Sequence, residues 1–138
     1  MKEAIIPYGE MLVDARYRIL AMILSSVPAG TRFGSGEENL GPRLAKIIRK
    51  ENNEIIREHF SVHVYANYSP ELEELLCFSF GRPIGLENWG LDFQYQVTEK
   101  THEIAREIEK RGYFSKKQRK YLKSLGEKLI PEKQVTVL

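Results

Sequence analysis

Two histidines, His59 and His63, stand four residues apart, a spacing that suits a shared metal ion only if both lie on one helix. The sequence puts a helix–strand boundary between them, at Phe60–Ser61, so no metal site is expected. Asp92, Glu99 and Lys100 resemble the acidic pair and lysine of metal-dependent nucleases only superficially. In those enzymes the lysine follows the glutamate by two positions, whereas Glu99 and Lys100 are adjacent and would face opposite sides of a strand. Gly34-Ser35-Gly36 precedes a helix and invites a phosphate, but no Gly-Lys-Ser/Thr closes the loop, and Glu37 and Glu38 bring negative charge there. The lone Cys77 lies in an apolar run and is read as a small buried hydrophobe. His102 falls in the first turn of a surface helix. No Gly-x-Ser-x-Gly or His-Glu-x-x-His motif occurs. No catalytic residue, metal ligand or cofactor is assigned, and the chain is read as a non-enzyme.

One cluster remains. Arg111, Lys116, Lys117, Arg119, Lys120, Lys123 and Lys128 are opposed within their own stretch by Glu127 alone. On a helix from Lys116, the apolar stripe is Tyr121, Leu122, Leu125 and Leu129, and Lys116, Lys120 and Lys123 fall opposite it. The first six cations of the cluster, Arg111 to Lys123, are the candidate binding residues. Charge is uneven along the chain. Residues 1–60 carry nine basic and eight acidic groups, 61–98 one basic and five acidic, and 99–138 eleven basic and six acidic. The middle segment also gathers Tyr65, Tyr68, Phe78, Phe80, Trp89, Phe93 and Tyr95. Aromatics rimmed by Glu71, Glu73, Glu74, Glu87 and Asp92 repel phosphate and suit a basic protein partner. The bland counter-reading is a solvated lysine face, in which cations toward a helix C-terminus merely favour the helix.

The elements that must position these groups follow from periodicity. Glu10–Val27 has apolar residues on two adjacent helical faces, so its second half should be buried nearly all round, with Pro28 and Gly30 ending it. A glycine-rich loop follows, then a helix over Pro42–His59 with Pro42 in its first turn. Ile48 and Ile55, one heptad apart on it, offer a seam for a second copy, without supporting charge pairs; the oligomeric state is left open. Ser61–Asn67 alternates like a strand, Pro70–Leu76 is a short helix, Cys77–Phe80 is its last turn or a strand, Gly81–Gly90 is a connector, and Leu91–Thr98 is a half-buried strand. Thr98 caps a helix over Glu99–Arg111 that stops at Gly112, and Ser115 with Gln118 opens a last helix to about Ile130.

The 138 residues fit one domain, with two N-terminal helices in 1–60, strands and a short helix in 61–98, and a C-terminal helical hairpin in 99–131. The fold class is α+β: four to five helices packed with a small, mostly antiparallel sheet. No signal peptide or apolar run of spanning length is read, which points to the cytoplasm and away from a membrane. The helix, glycine-containing turn and basic second helix of 99–131 loosely resemble a helix-turn-helix, whose second helix enters the major groove. That resemblance implies a direct DNA- or RNA-binding protein. The charge split implies a regulatory protein that contacts transcription or replication proteins. Of these readings the regulatory binding protein is preferred; direct nucleic-acid binding is its alternative, and a small metal-dependent hydrolase or nuclease using Asp92 and Glu99 comes third.

Overall fold

In a computed structural model of the chain, residues 15–63, 66–77, 84–90 and 94–131 are described. Helix α1 (Ala15–Leu24) carries the run Ile19–Leu24, every side chain of which is buried. Such a segment has no polar face to turn to water, so it has to lie in the middle. Helices α5 (Glu99–Lys110) and α6 (Lys116–Glu127) both lie against it. The α1–α6 crossing is close because Gly126 has no side chain. A Cβ there would overlap the Ile23 carbonyl oxygen and the Ser26 hydroxyl. That hydroxyl donates to the Lys123 carbonyl at 2.7 Å, tying the end of α1 to α6.

Helix α2 (Leu40–Ile48) starts two residues before Pro42, because the Asn39 side chain accepts from the Leu40 amide and caps it. Pro42 still falls in the first turn, as its missing N–H requires. The single helix expected over 42–59 is two. The stretch Arg49–Asn53 has nothing apolar to bury, and Asn53 caps a new turn, α3 (Glu54–Arg57). Ile48 is buried in the protein's own core and Ile55 packs against it, so the seam proposed for a second copy is already occupied.

Helix α4 (Pro70–Cys77) packs on α2. The strand expected over 61–67 does not form in its described residues. The Ser61 amide donates to the Glu71 carboxylate and the His63 amide to the Tyr68 carbonyl, so local bonds consume the donors a ladder would need. Val64 and Tyr65 lie outside the described residues, as do Phe78, Phe80, Asp92 and Phe93 and the Cys77–Phe80 alternative beyond Cys77.

The sheet is small. Strand β1 (Glu87–Asn88) pairs antiparallel with β2 (Tyr95–Gln96), Glu87 opposite Gln96. On the other edge of β2, Arg32 bridges Gln96, with Phe33 N–H donating to Tyr95 O and Val97 N–H to Thr31 O. The α+β class therefore holds, with six helices among the described residues where four to five were expected. One buried cluster runs through α1, α2, α4, the sheet, α5 and α6.

Candidate functional site

Each helix of the C-terminal hairpin opens on a capping box. Thr98 accepts from the Thr101 amide, and the Thr101 hydroxyl accepts from the Thr98 amide. Ser115 and Gln118 do the same for α6, at 3.1 and 2.9 Å. Gly112 takes φ +75° just past α5, a left-handed conformation that a glycine adopts without penalty. The C-terminal hairpin thus stands, with both of its helices resting on α1.

The six candidate cations divide into two groups. Arg111 pairs with Glu107 at 2.8 Å, which holds the Glu107 carboxyl below the usual carboxylate range. Arg119 and Lys123 share Glu109, at 3.3 and 3.7 Å, and Arg119 also donates to the Phe114 carbonyl at 2.8 Å. Acids of α5 therefore neutralise half of the cluster. Lys116, Lys117 and Lys120 are exposed, and among the described residues no carboxylate lies within ion-pair distance of them. They occupy the first turns of α6. The amide end of a helix carries positive partial charge, so Lys116 and Lys117 oppose the macrodipole instead of complementing it. The helix-favouring part of the bland reading does not hold for Lys116 and Lys117, which sit at the end opposite to the one that favours cations.

The acidic middle is less free than its composition suggests. Glu71 accepts from Ser61 and Ser69, and Glu74 lies 3.8 Å from Arg16. Tyr95 is buried, Trp89 is half-buried and donates to the Phe33 carbonyl, and Tyr68 remains exposed. The Arg32 guanidinium sits 5.1 Å from the Trp89 ring centroid.

The histidines serve structure. His59 Nδ1 is 3.0 Å from the Ile55 carbonyl, and His102 Nε2 is 2.6 Å from that of Val27. A carbonyl only accepts, so each of these nitrogens carries its proton. His63 meets Tyr68 edge to face. Among the described residues no group of three His, Cys, Asp or Glu side chains could hold a metal ion. Glu99 is exposed in the first turn of α5, and Asp92 lies outside the described residues.

A second feature escaped the sequence reading. A cleft of about 420 Å³ opens between α2, the turn Gly36–Glu38, Asn67 and the end of α6. Arg43 crosses its wall, donating to the Leu129 carbonyl at 2.7 Å and lying 3.4 Å from Glu38. Glu51 accepts from the Tyr121 hydroxyl at 2.5 Å and lies 3.7 Å from Lys128. Burial first, then that hydrogen bond and the Glu51 charge, push the Tyr121 hydroxyl well above its usual range. Lys46 in the last turn of α2 and Lys50 just past its end were the legible hint; the opposing wall comes from residues far away in sequence.

No protein-family model matches the chain, and neither the curated proteins nor the solved structures contain a match to it. Among the described residues no helix is long and apolar enough to cross a membrane.

Proposed function

We propose that the chain is a non-enzymatic regulatory protein of the cytoplasm that engages nucleic-acid-processing machinery, such as transcription or replication proteins, through its charged surfaces. The observation that carries this reading is the trio Lys116, Lys117 and Lys120. These lysines are exposed and lack a carboxylate partner among the described residues, and Lys116 and Lys117 stand at the helix end where they cost stability. An anionic partner would offset that cost. The experiment is affinity capture from native extract with wild type and with the Lys116→Glu, Lys117→Glu, Lys120→Glu variant. Wild type should recover a component of that machinery and the variant should lose it. Recovery of metabolic enzymes only, or equal recovery by both proteins, sinks the proposal.

Direct nucleic-acid binding is the second reading, and the pairing of Glu107 and Glu109 favours it. Two α5 acids that would repel a phosphate backbone are already neutralised by Arg111, Arg119 and Lys123. The unpaired lysines lie on the part of α6 that a helix-turn-helix turns toward its groove. Lysine is nevertheless a poor reader of base edges, so binding by this surface would be weakly selective for sequence.

A further inference from the structure

The cleft beside α2 lies apart from the lysine trio of α6, and two features of its lining point to an occupant. Among the described residues two buried side-chain atoms lack a hydrogen-bond partner, Arg43 Nε and Asn67 Oδ1, and both belong to residues of this cleft. One is a donor and one an acceptor. Buried polar groups are nearly always satisfied, so two orphans on one lining mark a place where the protein alone does not complete its bonding. Asn67 cannot simply be flipped, because its Nδ2 faces the Glu37 carboxylate at 3.4 Å.

The charges are also segregated within the cleft. Glu38 and Glu51 are already engaged by Arg43 and Lys128. Lys46, in the last turn of α2, and Lys50, just past its end, are exposed, with no carboxylate in ion-pair distance among the described residues. Glu37 presents its carboxylate from the other side, where it accepts from Asn67 Nδ2. An occupant therefore needs an anionic group at one end and hydrogen-bond donors at the other. Pro42 and Ile47 give the cleft an apolar strip on which a flat ring can rest. The volume is in the range of small-molecule sites.

We infer that this cleft binds a small phosphate monoester with a donor-bearing ring, the chemistry of a nucleoside monophosphate. Its phosphate sits between Lys46 and Lys50, and its ring or sugar donors face Glu37 and Asn67. Both orphan atoms are out of solvent contact as the side chains stand, so the ligand completes their bonding when Asn67 and Arg43 rotate toward the cleft, in exchange for the Asn67–Glu37 and Arg43–Leu129 hydrogen bonds.

Calorimetric titration of the full chain with adenosine, cytidine, guanosine and uridine monophosphates, and with inorganic phosphate, tests this. Assigned amide resonances are followed in parallel. At least one nucleotide should bind saturably, moving the amides of Lys46, Lys50 and Asn67. The Lys46→Glu, Lys50→Glu variant alters only exposed side chains and should weaken binding about tenfold or more. Asn67→Ala should weaken the nucleotide while leaving any phosphate affinity unchanged. Thermal melts of both variants establish that they are folded. Absence of saturable nucleotide binding, binding that the lysine variant leaves intact, or equal affinity for phosphate alone overturns the assignment.

Discussion

Glu71 and Glu73 are two residues apart on α4, yet their carboxyl groups are pushed in opposite directions. For Glu71, burial would raise the value, but hydrogen bonds from the Ser61 amide, its own amide and the hydroxyls of Ser61 and Ser69 outweigh it and hold the group below 4.5. Glu73 has burial and nothing comparable to set against it, so it is raised. For a carboxyl raised in the folded state, the native protein holds more proton than the unfolded chain between the ordinary value of 4.5 and the native value. Its contribution is favourable below that window and is lost as pH rises through it. Glu73→Gln keeps the shape and removes the charge. The variant is expected to melt above wild type at neutral pH, with the difference shrinking as pH falls toward 4.5. A pH series of melting curves checks this, and a lower melting point for the variant at neutral pH would refute it. None of this was legible in the string Pro70–Cys77, where both glutamates look like solvent-facing charges. Whether a carboxylate meets Ser61 or a packed helix is settled by residues that arrive from elsewhere.

At the scale of elements, legibility followed the number of independent local signals. Helices α5 and α6 carried apolar spacing, cap residues and a glycine stop, and they form within about a turn of the expected places. The last helix ends at Glu127, short of Ile130, where Leu129 and Ile130 continue as a turn. The strands carried alternation alone. Alternation cannot announce whether a partner edge will be free, and in 61–63 local acceptors took the amides first. Strand β1, two residues long, has no period to read. Helix α6 also supports a stability prediction that separates a binding role from a structural one. Lys116 and Lys117 are its first two residues, beside unsatisfied amides and the positive end of the dipole. Changing both to Glu should stabilise the protein by roughly 0.6–2 kcal/mol, since each of the two introduced first-turn acids contributes about 0.3–1 kcal/mol. Urea unfolding measures it. An unchanged or lower midpoint would mean that the lysines support the fold, which would remove the argument that they are kept for a partner.

The whole molecule does not sort its ions into a basic end and an acidic middle as cleanly as the segment charges suggest. Arg111, Arg119 and Lys123 are answered by Glu107 and Glu109, Arg43 by Glu38, and Lys128 by Glu51. Counting along the sequence overstates the field, because α5 and α6 come together through α1 and bring opposite charges within 4 Å. What survives of the six candidate cations is a patch of three lysines, and its size can be measured. If that patch meets nucleic acid, each neutralised phosphate releases counterions and sets the salt dependence. Three lysines acting on a duplex predict a slope of about −2.7 in log affinity against log salt, whereas all six cations would give about −5.4. Fluorescence anisotropy across a salt series reads the slope directly. A value near the smaller magnitude means that the ion pairs with Glu107 and Glu109 persist in the complex, and the larger one means that binding opens them. A slope near zero leaves no phosphate contact for this hairpin, and any partner must then be an acidic protein surface, where salt acts chiefly on the rate of encounter.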